Sequence, residues 1–172
     1  NFSSLVNGLR RAGELYAHTK EHAFESRACD EYARLLRTQR KISQDKSNAG
    51  SNFLGLSVAD SIAECILMGD AKTASALKSE FKIPDRQFWY LKIRSLCAAQ
   101  DWRGLQEFAG EKRSPVGYLP FILSARNHDA PTPIVAHFVG KITDPKVRAE
   151  KYAEIGMVQE ASEAAALAKD AD

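Results

Sequence analysis

Gly69-Asp70-Ala71-Lys72-Thr73-Ala74, followed by Leu77, is the stretch whose reading decides the fold. It aligns with Gln100-Asp101-Trp102-Arg103-Gly104-Leu105 and Phe108, and again with Gly156-Met157-Val158-Gln159-Glu160-Ala161 and Ala164. Each copy opens on a turn residue and continues with small or apolar residues at matching helical offsets. Small residues let neighbouring helices approach, and larger ones fill the groove between them. Helix pairs recurring at roughly 30 residues are the units from which α-solenoids are built. The pattern predicts an all-α chain, an α-α superhelix in the form of a right-handed solenoid of antiparallel helix pairs. An irregular helical bundle is the alternative that the same segments allow.

The punctuation around the repeats supports helices elsewhere. Phe2 to Ala17 is helical in pattern, with Leu5, Leu9 and Tyr16 as its apolar face. The longest pattern runs from Glu21 to Gln44; Phe24, Ala28, Tyr32, Leu35 and Ile42 keep to one stripe while Arg27, Arg34, Arg37 and Lys41 decorate other faces. A polar linker from Asp45 to Asn52 follows. Ser57 caps a helix through Met68, and Gly69 closes it in left-handed conformation. Asp70, Asp101 and Asp144 are N-cap candidates, and Pro84 and Asp85 open a helix to Ala99. Ser114 to Gly117 break the chain before Tyr118 to Asn127. A loop containing Pro131 and Pro133 leads to a short helix at Ile134 to Gly140, and Gly156 stops the helix begun at Pro145. No stretch sustains strand alternation. The whole of 1–172 reads as one solenoid fragment, with 1–45 as leading long helices and 53–172 as short hairpin repeats.

Composition sets limits on function. Hydrophobic residues make up 44% and charged residues 27%, and the net charge of +2 comes from interspersed acids and bases. Nucleic-acid and anionic-membrane binders concentrate their basic residues, so neither is predicted as the main partner. No apolar run is long enough to span a membrane and no signal peptide is visible. Position 1 is Asn, which predicts a piece of a longer protein. Cys29, Cys65 and Cys97 are widely spaced, which fits neither a disulfide framework nor a C-x-x-C metal site; buried thiols in a reducing, cytoplasmic compartment are expected.

Candidate chemistry is sparse. His18-Thr19-Lys20-Glu21-His22 matches H-x-x-E-H, in which two histidines one helical turn apart bind zinc and the Glu acts as base. It lies in a polar stretch where a helix ends, so a solvated turn is expected. His128 and His137 have no Ser, Cys or carboxylate at a catalytic offset, and no Walker A, Rossmann or G-x-S-x-G pattern occurs. The expectation is no enzyme, no cofactor and no metal. Phe88-Trp89-Tyr90 differs from these, since three consecutive aromatics fan over about 200° of a helix. Trp89 is expected in the core, with a neighbouring ring left for an interface.

Phe53-Leu54-Gly55-Leu56-Ser57, Phe81-Lys82-Ile83-Pro84-Asp85-Arg86, Trp89-Tyr90-Leu91-Lys92, Asp101-Trp102 and Ser114-Pro115-Val116-Gly117-Tyr118-Leu119-Pro120-Phe121, taken in order, resemble the C-terminal region of the vacuolar protein sorting-associated protein 16 family. Lys20-Glu21-His22-Ala23-Phe24 is similar to the family's upstream helix. The likeness covers residues 20 to 160 and is weakest around Pro131. It implies an α-solenoid scaffold that docks a Sec/Munc (SM) protein, vacuolar protein sorting-associated protein 33, into the HOPS and CORVET tethering complexes. These act peripherally at late endosomal and vacuolar or lysosomal membranes in SNARE-mediated fusion. From exposure pattern and placement in that region, the expected partner face is Arg27, Ala28, Arg34, Arg86, Gln87 and Tyr90. The competing classes are an RNA-binding repeat or generic helical adaptor, and a zinc hydrolase at His18 and His22.

Overall fold

A computed structural model describes residues 2–45, 52–111 and 113–169. Positions 46–51, which hold most of the expected linker, lie outside them. Among the described residues the structure is all-helical: α1 Phe2–Tyr16, a 3-10 turn Lys20–His22, α2 Ala23–Gln44, α3 Val58–Leu67, α4 Ala71–Glu80, α5 Asp85–Ala98, α6 Trp102–Glu111, α7 Leu119–Asn127, α8 Thr132–Val139, α9 Pro145–Glu154 and α10 Val158–Lys169. Successive helices pack as pairs, α1 on α2, α5 on α6, α7 on α8 and α9 on α10. This is the architecture of the α-α superhelix class. No helix of the described residues is long and apolar enough to cross a membrane. The chain divides into two compact units, Asn1–Leu77 and Lys78–Asp172.

The repeated hexamer is a turn of one chemical design. Gly69 takes φ +78°, and the next amide, Asp70 N–H, donates back to Cys65 O at 2.8 Å. A left-handed residue followed by this long back-bond closes a helix and satisfies its last carbonyls. Asp70 Oδ1 then accepts from Thr73 N–H at 3.0 Å, so the residue that ends α3 also caps α4. Gln100 and Asp101 repeat the device: Gln100 has φ +54°, Asp101 N–H donates to Leu96 O at 2.9 Å, and Asp101 Oδ1 accepts from Gly104 N–H at 2.9 Å. At Gly156 the back-bond is made by Met157 N–H to Tyr152 O at 3.0 Å, without a side-chain cap. The apolar offsets also hold: Ala74, Leu77, Leu105, Phe108 and Ala164 are all buried. Lys82 and Asp129 form the same closure with φ +52° and +56°, although neither is glycine.

The first unit is held by a close helix crossing and a polar clamp. The face of α1 that packs on α2 is Phe2, Val6, Leu9 and Gly13, meeting Ala33 and Leu36. Leu5 and Tyr16, expected on that face, are exposed; the helix is rotated so that Gly13 sits at the crossing. A Cβ there would stand 3.1 Å from Asp30 Oδ1 and 3.4 Å from both Cys29 Cβ and Ser26 O, and Ser26 Oγ donates to Gly13 O at 2.9 Å. On α2, fully buried Gln39 donates through Nε2 to Leu56 O at 2.7 Å and to Ser61 Oγ at 2.9 Å, and its Oε1 accepts from Gly55 N–H at 3.2 Å. One side chain thus fixes the Phe53–Ser57 turn and the start of α3 against α2. Phe53, at the start of that turn, is wholly buried.

The second unit is built on stacked aromatics. Trp89 of α5 lies 4.2 Å from Phe108 of α6, Phe121 of α7 touches both rings at 6.2 and 6.1 Å, and Phe138 of α8 continues the column at 5.2 Å from Phe121. Each such pair adds about 1 kcal/mol beyond area burial. Lys92 Nζ covers the Phe108 ring at 4.0 Å and reaches Glu111 at 3.5 Å. Arg126 of α7 pairs with Glu154 of α9 at 2.8 Å, and Lys151 shares that carboxylate.

Candidate protein-docking surface

The stripe of α2 predicted from sequence is one geometric row with two fates. Its second half, Leu35 and Ile42, is buried, and so is Gln39 between them, which the stripe did not include, where the clamp holds the 53–57 turn against the helix. Its first half is bare: Phe24 is 72% exposed, Tyr32 is 41% exposed, and Ala28 between them is also exposed. Arg27 and Arg34, seven residues apart and therefore nearly in line, flank that bare half. Arg27 Nε donates to Ala23 O at 3.0 Å, which lays its stem along the helix.

The second group begins α5. Pro84 stands at its N-cap and Asp85, in the first turn, pairs with Lys78. Arg86, Gln87 and Tyr90 share an arc of about 100° and all three are exposed. Trp89, on the other side, is 1% exposed, and Phe88 is half-buried with Lys78 Nζ 5.2 Å from its ring centre. The three aromatics therefore separate into core, flank and surface. Arg27, Ala28 and Arg34 belong to the first unit, and Arg86, Gln87 and Tyr90 to the second.

The remaining candidates resolve into structural roles. Thr19 is extended at φ −128°, so His18 and His22 do not share a helical turn. His22 instead stacks 5.6 Å from Tyr16 and lies 3.8 Å from Glu25, and the H-x-x-E-H geometry is not formed. Among the described residues no group of three or more His, Cys, Asp or Glu is placed to hold a metal ion. Burial pushes the Cys65 thiol up to about 11, with Asp70 and Glu64 adding to it. Burial also raises Cys97, against a hydrogen bond with Ser124. Both thiols are fully buried, as packed structural cysteines are. His128 Nδ1 lies 2.8 Å from Ser124 O, and His137 is held below its ordinary value by burial and by Lys141.

The family model described as Vps16, C-terminal region, matches residues 1–172. The chain belongs to this family. Relatives are similar along 69% to 97% of its length. The protein VACUOLELESS1 of Arabidopsis thaliana is 36% identical over 162 residues, 94% of this chain and 18% of its own. The vacuolar protein sorting-associated protein 16 homolog of Dictyostelium discoideum is 32% identical over 172 residues, 97% of this chain and 20% of its own. The Drosophila melanogaster homolog is 38% identical over 118 residues, 69% of this chain and 14% of its own. The chain therefore spans about a fifth or less of the length of these relatives.

Proposed function

We propose that this Vps16-family segment is a scaffold of vacuolar protein sorting that docks an SM-family protein, vacuolar protein sorting-associated protein 33, within the HOPS or CORVET tethering complexes. The observation that carries the reading is the bare half-stripe of α2. Exposed aromatic side chains in line with a small residue, flanked by arginines, have the composition of an interface centre and its rim. Ala28 matters because it is small: it leaves a shallow notch between Phe24 and Tyr32 into which a partner side chain fits. Arg86, Gln87 and Tyr90 supply a second patch of the same character. The role is that of a rigid platform, with any fusion chemistry residing in the bound partner, and the place of action is peripheral, at late endosomal and vacuolar or lysosomal membranes.

The test is co-purification of this chain with the SM protein. Ala28→Asp fills the notch with a charge, and Arg86→Glu reverses one anchor. Each is expected to weaken binding by at least about a hundredfold, the effect of losing one buried anchor. Unchanged binding by both variants, with helicity and melting preserved, would show that the docking face lies elsewhere.

A further inference from the structure

The surface of the second unit carries a separate feature that the α2 and α5 patches do not use. A groove of about 450 Å³ lies between the turn leading into α7 and the segment joining α8 to α9. That volume is in the range of sites that hold a small ligand or a few residues of peptide. Its apolar part is made by half-buried Tyr118 and Val147 and by Leu119, which is 43% exposed despite its size. Its charged part is made by Arg113 and Lys141. Lys141 Nζ stands 5.8 Å from the centre of the Tyr118 ring, which draws one cation over the apolar wall.

The charge balance of the groove is one-sided. Among the described residues Asp144 is the only lining carboxylate, and Asp144 Oδ1 already accepts from Lys146 N–H at 2.9 Å and Val147 N–H at 3.3 Å as the cap of α9. Held at the positive end of that helix, this one carboxylate is set against two cations, and the lining keeps an excess of positive charge. An occupant that matches this surface brings negative charge on either side of one bulky apolar side chain. We propose that the groove docks a short acidic peptide segment of a partner protein, its carboxylates against Arg113 and Lys141 and its apolar side chain over Leu119 and Tyr118.

The probe is a fluorescein-labelled peptide, Glu-Asp-Leu-Phe-Asp-Glu, titrated with the intact chain and read by fluorescence anisotropy. Saturable binding is expected, weakened at least about tenfold by Arg113→Glu or Lys141→Glu and falling as salt is raised. Replacing the Leu-Phe pair of the peptide by Ser-Ser is expected to abolish it. Arg103→Glu, on an exposed part of α6, leaves binding unchanged. Four results would each overturn the proposal. One is no saturation up to about 1 mM chain. Two more are equal binding of the Ser-Ser peptide and displacement by tripolyphosphate at equal charge, either of which marks a general anion site. The last is wild-type binding by both charge-reversed variants, with circular dichroism confirming that they are folded.

Discussion

The two units of this chain solve the same packing problem by different chemistry. Lys78–Asp172 fills its centre with a column of four aromatic rings, each supported by neighbours from different helices. Asn1–Leu77 relies on a glycine crossing and on a buried glutamine that holds three separate partners. An aromatic column is a large, non-directional store of stability, whereas a polar clamp fixes register, because its donors and acceptors match in one arrangement only. The first unit is thus specified by position and the second by volume.

Removing volume from the second unit is the largest expected perturbation. Trp89→Ala empties the head of the column and should destabilise by about 4 kcal/mol, read as a lowered urea midpoint. In the first unit, Gln39→Leu keeps the volume but leaves Gly55 N–H and Leu56 O without their partner, at a cost of about 3 kcal/mol. Faster amide exchange over residues 53–67 should accompany it. If Gln39→Leu proved as stable as wild type, the clamp would be no more than an ordinary packing contact. Gly13→Val tests the crossing: its side chain meets Asp30 and Cys29 at contact distance, and about 2 kcal/mol is the expected loss in thermal stability.

Two smaller changes sharpen the comparison. Gln100→Gly relieves a left-handed residue and should raise stability by about 1 kcal/mol, whereas Gly69→Gln should lower it by a similar amount. Glu154 probes the surface of the second unit. Lys151 and then Arg126 hold its carboxyl below the ordinary value of 4.5. Because the folded value is the lower one, its contribution is complete above the unfolded value and is lost as pH falls through the folded value. Glu154→Gln should therefore matter at neutral pH by no more than about 0.5 kcal/mol, and the difference in melting temperature from wild type should vanish in acid.

Much of the fold was legible because its signals are local. Asp70, Asp101 and Asp144 were readable as caps, and Gly69 and Gly156 as stops, since a cap bonds within three residues of itself. The left-handed closures at Lys82 and Asp129 were not, because the glycine that normally marks them is absent. Gln39 carries no sequence signal for a different reason. A glutamine on a helix reads as a solvent-facing residue, and its partners lie beyond the linker, where no spacing rule connects them. The stripe from Phe24 to Ile42 was visible as a row, but periodicity says nothing of how far a neighbour extends along it. The bare half of that row depends on a turn that closes only in three dimensions. At the proposed face, Arg27, Ala28, Arg34, Arg86, Gln87 and Tyr90 are exposed, which pattern could anticipate, whereas the exposure of Phe24 and Tyr32 beside Ala28 could not be read from it.

The double use of Asp70 and Asp101, each closing one helix while opening the next, leaves no slack residue at these corners. A single inserted residue would turn everything downstream by about 100° about the helix axis and swap its buried side for its wet one. Such joints accept changes of letter but not of length. Insertions and deletions in related chains are accordingly expected outside them, between α2 and α3 or in the approach to α7, where the path from one helix to the next is several residues long.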